Sequence, residues 1–124
     1  GNAADAIGLA SGDAYIGRNV VATNGTIFKA ELSCIETPGQ GTATITGDID
    51  IHTNSSSSIA YDGAVGSNSL IDGATLVIGQ TLQNLQPAVV ADEYYYIVEG
   101  DTAATTGVYN AGQYILTTYG HAAL

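Results

Sequence analysis

Short β-prone runs separated by glycine-rich turns recur along this chain of 124 residues. Sixteen residues are glycine, and Thr, Val, Ile and Tyr fill much of the sequence between the turns. Apolar residues nowhere recur at helical spacing over a dozen positions. Roughly eight short strands at a spacing of about 8 to 12 residues are typical of a sandwich or barrel. The sequence therefore predicts an all-β fold, an antiparallel β-sandwich or jelly roll.

The strongest local turn signal is Asn24-Gly25, a dipeptide typical of the tight turn of a β-hairpin. It predicts that a strand at residues 14–23 pairs with a strand at residues 26–36. Side chains of the second strand alternate with a period of two. One of its faces is expected to carry Phe28, Ala30, Leu32 and Cys34, and the other Lys29, Glu31 and Ser33.

Further turns and strands follow from the same signals. Residues 37–41 contain Pro38 and two glycines and are predicted to form a turn. Pro87 cannot donate to a sheet, so the chain around it is predicted to be a sheet edge or a connection. Further strands are predicted at residues 48–53, 74–78, 94–99 and 108–119, and residues 81–85 are ambiguous.

The domain organisation is predicted to be an N-terminal arm at residues 1–12 and a single β-sandwich domain at residues 13–124. Asn2 can cap a short helix that runs to Ala10, but Gly8 and the short length make such a helix marginal. An extended arm fits the same residues equally well.

Charged residues are scarce and mostly acidic. The chain has 12 acidic and 2 basic residues, a net charge of -10, and only 11% charged residues, where about 25% is usual. With Arg18 and Lys29 as its only cations, the chain cannot neutralise phosphates, which excludes nucleic-acid binding and argues against an anionic membrane. Its surface must be largely neutral or apolar, which predicts a subunit of an assembly.

Candidate catalytic groups are weak. Cys34 could pair with His52, but its place on an apolar face favours a buried, inert thiol. Pairs of acids suited to glycoside hydrolysis occur, but a chain of this size without Trp offers little of the groove that such enzymes use. We therefore predict no catalytic residues, no cofactor and no enzymatic activity.

A row of metal-binding residue types lies at alternate positions of one predicted strand. Asp48, Asp50 and His52 are expected to point outward on the same face. Carboxylates suit Ca²⁺ and histidine suits transition metals, so the mixed set matches neither class. The sequence favours a solvated or subunit-interface face over a metal site, and leaves cation binding open.

Tyrosine is the dominant aromatic residue, with eight copies against one Phe and no Trp. Its apolar ring and polar hydroxyl suit protein interfaces, although a half-buried edge strand explains the same residues. The arm adds two apolar side chains that can become buried on binding. The predicted interface residues are Ile7, Leu9, Tyr94, Tyr95, Tyr96, Tyr109, Tyr114 and Tyr119.

Three segments resemble small structural proteins of tailed bacteriophages, in particular the capsid decoration (cement) proteins. They are residues 47–52 (GDIDIH), residues 60–65 (AYDGAV) and residues 94–114. The third segment begins with YYYIVEGD. The resemblance implies a β-sandwich or jelly roll, often a dimer or trimer, that lies on the capsid exterior and bridges major capsid subunits. It implies that an arm makes part of the contact, and it carries over no catalytic residue.

The function expected from these observations is that of a non-enzymatic virion protein that stabilises a phage capsid. Deletion of residues 1–9 is expected to abolish shell binding and to leave the sandwich folded. Two other functions stay open at this point. One is a subunit of an extracellular filament or surface layer whose arm is a strand donated to a neighbour. The other is a glycan-binding β-sandwich.

Overall fold

The computed structural model describes residues 15–40, 48–59, 66, 68–73, 75–99 and 109–122. The predicted arm, with Ile7 and Leu9, lies outside these residues. The described elements, in chain order, are β1 (Tyr15–Arg18), α1 (Val21–Asn24), β2 (Thr26–Gln40), β3 (Ile49–Asn54), β4 (Ser69–Ile71), β5 (Thr81–Asn84), β6 (Tyr94–Glu99) and β7 (Tyr109–His121). No helix within the described ranges has the length and apolar character needed to cross a membrane.

The strands form two antiparallel sheets. The four-stranded sheet has the order β1-β6-β3-β4, and the three-stranded sheet has the order β5-β2-β7. The predicted all-β sandwich is thus confirmed. Apolar side chains from both sheets form one core, because each sheet turns alternate residues inward. The buried members of this core are Ile27, Ala30, Leu32, Cys34, Ile49, Ile51, Leu70, Ile71, Leu76 and Tyr95.

The inward face of β2 differs from the prediction at one end. Ala30, Leu32 and Cys34 are buried as predicted, but Phe28 is 49% exposed and Ile27 is buried in its place. The cause is a β-bulge: Ile27 pairs with Gly120 and Lys29 with Tyr119, so β2 contains one extra residue at this point. The extra residue shifts the alternation by one position.

The hairpin predicted at Asn24-Gly25 is wrong. β1 pairs with β6 in one sheet and β2 with β5 and β7 in the other, so the chain crosses between sheets here. Residues 21–24 form the single helical turn α1, and Gly25 ends it with a φ of 68°. A side chain at Gly25 would collide with the backbone of His121. The dipeptide is therefore used as a helix end against β7.

Two other boundaries also change. β2 continues through Pro38 to Gln40, because register shifts against β7 accommodate the residues predicted to form a turn. Of the predicted strand at residues 74–78, the described residues 75–78 contribute one β-bridge, between Thr75 and Asp48. A strand before Asp72, β4, pairs with β3 on the side opposite β6. The predicted strands at 94–99 and 108–119 are confirmed as β6 and β7.

Candidate interaction surface

The side of the three-stranded sheet that faces away from the core carries a short array of mostly polar side chains from all three strands. Antiparallel register places Lys29 opposite Tyr119, Glu31 opposite both Gln83 and Thr117, and Ser33 opposite both Thr81 and Ile115. Directly paired residues project from the same face of a sheet. We call this set of eight side chains the outer face.

Glu31 connects the three strands of the outer face. Its Oε1 accepts hydrogen bonds from Lys29 Nζ at 2.7 Å and from Gln83 Nε2 at 2.8 Å. Its Oε2 accepts a hydrogen bond from the Tyr119 hydroxyl at 2.7 Å. The Lys29 ammonium also lies 4.8 Å from the centre of the Tyr119 ring, in cation–π contact. One carboxylate therefore orders side chains from β2, β5 and β7.

The charges of the outer face cancel. The hydrogen bond from Lys29, followed by that from Tyr119, lowers the pKa of Glu31, and Glu31 in turn raises the pKa of Lys29. Both groups are therefore ionised at neutral pH, as one positive and one negative charge. A chain with a net charge of -10 thus has a local surface without net charge.

Apolar side chains adjoin this neutral array. Ile115 is 51% exposed on the outer face itself, and Phe28 and Ile35 are exposed on β2. Register shifts occur where β2 passes Phe28 and Ile35, so both lie at the ends of the regular pairing. Exposed apolar side chains thus occur at separate points, Ile115 within the array and Phe28 and Ile35 at its two ends. The sequence does not identify Ile115 and Gln83 as members of the outer face, because their positions opposite Ser33 and Glu31 follow only from strand pairing.

The predicted interface tyrosines do not form one surface. Contrary to the prediction, Tyr95 and Tyr96 are buried within the chain, so neither side chain is exposed for contact with a partner. Tyr94 is half-buried. The centre of its ring lies 5.0 Å from the ring centre of Tyr15 and 5.1 Å from the guanidinium carbon of Arg18. Tyr114 is half-buried and faces inward, whereas Tyr119 is exposed on the outer face. The structure describes the backbone of Tyr109 but not its side chain, and Ile7 and Leu9 lie outside the described residues.

The row Asp48, Asp50 and His52 does not point into solvent as predicted. Asp50 is 1% exposed and His52 is 6% exposed, and Asp48 is half-buried. β3 is a central strand, and backbone that follows it along the chain covers these side chains. Asp50 Oδ1 accepts from Gly73 N–H, and His52 Nδ1 donates to the Gly66 carbonyl at 2.8 Å. Their burial within the chain assigns Asp50 and His52 a structural role.

Asp50 and His52 also contact each other, with His52 Nε2 3.7 Å from Asp50 Oδ2. Tyr96, opposite His52 on β6, donates to the carbonyl oxygen of Ser56 at 2.6 Å. Among the residues that the structure describes, no group of three or more His, Cys, Asp or Glu side chains has an arrangement that could hold a metal ion.

A second buried polar contact was not anticipated. The Thr53 hydroxyl donates to Glu93 Oε2 at 2.5 Å, and Asn19 N–H donates to the Glu93 backbone carbonyl at 2.8 Å. Glu93 precedes β6 and is buried. These bonds connect β3, β6 and the residue after β1, and they satisfy polar groups that would otherwise be buried without partners.

Cys34 is buried in the core between the sheets, as predicted. Its thiol donates to the Glu36 carbonyl at 3.2 Å, and burial raises its pKa. A raised pKa disfavours the thiolate, which is the reactive form of cysteine. The position is therefore suited to packing.

Comparison with known proteins gave no match to a family model, to a curated protein or to a solved structure.

Proposed function

We propose that this chain is a non-enzymatic structural protein of a virion, which decorates a tailed-phage capsid and stabilises it by bridging major capsid subunits. In this proposal it lies on the capsid exterior and acts as a homo-oligomer, a dimer or trimer. It needs no cofactor and contacts neither nucleic acid nor membrane.

The observation that carries the proposal is the outer face. It is held in one arrangement by Glu31, it has no net charge, and Ile115 exposes apolar area on it. Ordered side chains lose little conformational entropy when a partner covers them. A neutral contact surface also avoids the cost of desolvating unpaired charge. These properties suit a subunit that is covered by neighbours.

The groups considered for catalysis support the non-enzymatic part of the proposal. Cys34, Asp50 and His52 are all buried among hydrogen-bond partners or core side chains. Each has a structural explanation at its position. The arm at residues 1–12 lies outside the described residues, and its contribution to shell binding stays a prediction.

An immunogold experiment tests the proposal and does not require the shell protein to be identified. An antibody raised against the purified chain is applied to particles and cells from the culture that produces it, and gold is located by electron microscopy. We expect gold over the exterior of phage heads, and none after the antibody has been absorbed with purified chain.

Two results would contradict the capsid proposal. Gold along extracellular fibres or over the cell surface would favour the filament or surface-layer subunit, which the long sheet edge formed by β7 also suits. A rise in melting temperature on addition of calcium or of a member of a glycan panel would favour the glycan-binding sandwich.

A further inference from the structure

Strand β7 forms one edge of the three-stranded sheet. Its 13 residues, Tyr109–His121, pair with β2, and no other strand in the described ranges pairs with it. An edge strand presents backbone N–H and C=O groups that can pair with a strand of another chain. Such pairing is prevented only where the edge strand is protected.

Within the described residues, the strands at the other three sheet edges are short. β1 and β5 have four residues each and β4 has three. Natural β proteins also place charges, proline or bulges on edge strands to prevent pairing. β7 contains no Asp, Glu, Lys, Arg or Pro. The register shifts between Ala111 and His121 all place the extra residue on β2, so β7 itself has no bulge over that stretch.

We propose that two copies of this chain pair antiparallel along β7 and thereby join their three-stranded sheets into one six-stranded sheet. Two-fold pairing is self-complementary, because each copy offers the same strand. The central residue of the 13 is Ile115, and pairing about this point aligns residues 111–119 of one copy with the same residues of the other; the extra residue that β7 contains, Asn110, lies beyond this stretch.

Charge and exposure identify the partner as a second copy. Two molecules with a net charge of -10 repel at long range, but the strands that meet here contain no Asp, Glu, Lys or Arg. On the neighbouring strand β2, Lys29 and Glu31 cancel, and the exposed Glu36 lies opposite Gln113, one strand away from the axis. Like charges are therefore not placed opposite each other across the axis, where they would oppose pairing. Ile115, 51% exposed in one chain, becomes covered by its own copy.

This inference names the contact of the proposed homo-oligomer, and it needs neither a capsid nor the outcome of the immunogold experiment. A monomeric chain would refute the β7 pairing and leave binding to a shell untouched.

The test measures molecular mass in solution by size-exclusion chromatography with light scattering, over a range of concentrations. The wild-type chain is expected at about twice its 12.6 kDa mass. In Ile115→Lys and Ile115→Glu, two like charges lie opposite each other at the axis. Each variant is expected to raise the dissociation constant at least about tenfold.

Ile78 supplies the matched control. It is an exposed isoleucine outside every strand, so Ile78→Lys and Ile78→Glu change the net charge equally without touching β7. Both control variants are expected to remain dimeric. Far-UV circular dichroism checks that all four variants keep their β structure.

A second variant covers the case in which the charged substitutions fail to fold. Ile115→Cys is expected to form a covalent dimer under mild oxidation faster than Ile78→Cys, because only the former lies at the axis; the native Cys34 is buried. A monomeric wild-type chain, a dimer that the Ile115 substitutions leave intact, or equal cross-linking at both positions would each overturn the proposal.

Discussion

Tyr114 carries a polar group in an apolar environment. It faces inward from β7 opposite Cys34, and its hydroxyl is buried without a hydrogen-bond partner in the part of the chain that the structure describes. Burial, with a smaller contribution from Cys34, raises the pKa of Tyr114 to about 12. The neutral phenol is therefore preferred in the folded chain more strongly than in the unfolded chain.

Replacement of Tyr114 by phenylalanine is expected to reduce the loss of stability at alkaline pH. Because the folded pKa lies above the unfolded value of about 10, the stability that the neutral phenol supports is complete below about pH 10 and is lost as the pH rises through about 12. Phenylalanine cannot ionise. Urea unfolding of the wild type and of Tyr114→Phe at neutral pH and at about pH 11 measures the difference.

At neutral pH the same variant is expected to be as stable as the wild type or more stable, because the hydroxyl that is removed has no partner among the described residues. A loss above about 1 kcal/mol at neutral pH would show that the hydroxyl makes a stabilising contact. An unchanged pH dependence would contradict the assignment of the raised pKa to this residue.

At the scale of elements, the bulge near the start of β2 decides which large side chain enters the core. Ile27 is 7% exposed and belongs to the core, whereas Phe28 lies outside and stacks on His121 at 6.2 Å between ring centres. The bulge arises where β2 meets the end of β7, next to the crossing between the two sheets. Neighbouring residues thus have opposite environments.

Alanine substitution of these two neighbours is expected to give different losses of stability. Ile27→Ala removes buried methyl and methylene groups and is expected to cost about 2 to 5 kcal/mol. Phe28→Ala loses an exposed ring contact and is expected to cost about 1 kcal/mol or less. Chemical denaturation of the two variants and the wild type provides the comparison. A larger loss for Phe28→Ala would place phenylalanine in the core and exclude the bulge.

At the scale of the whole molecule, charge is distributed unevenly. The net charge is -10, yet β7 contains no Asp, Glu, Lys or Arg, and Lys29 and Glu31 balance each other on the outer face. The carboxylate of Asp50, on β3 of the four-stranded sheet, is buried and accepts a hydrogen bond from Gly73 N–H. The strand proposed for contact therefore has no Asp, Glu, Lys or Arg of its own, and the acid of β2 outside the balanced pair is Glu36, opposite Gln113.

Self-association through β7 is expected to strengthen as salt rises from low to physiological concentration. Salt screens the repulsion between two copies of equal charge, and the Debye length falls from about 30 Å at 0.01 M to about 8 Å at 0.15 M. The contact itself contains no ion pair for salt to weaken. Sedimentation equilibrium at the two concentrations measures the dissociation constant, and weaker association at the higher concentration would indicate ion pairs across the contact.

The periodicity of the sequence was sufficient to predict the fold class and part of the core. The inward positions Ala30, Leu32 and Cys34 and the outward positions Lys29, Glu31 and Ser33 agree with a period of two, and so does β7 between residues 111 and 119. This agreement has a local cause, because side-chain alternation is a property of the extended backbone. The residues of β2 that contribute to the outer face could therefore be predicted, but their partners could not.

Only the tertiary structure decided what depends on pairing between distant strands. The bulge that exchanges Phe28 for Ile27 exists because β2 pairs with β7, which lies at the other end of the chain. Asp50 and His52 are buried because β3 became a central strand covered by later backbone. The edge position of β7 follows from the strand order. Alternation along a strand specifies which side chains share a face. Whether that face is buried, and whether the strand lies at the edge of its sheet, depends on which strands lie beside it.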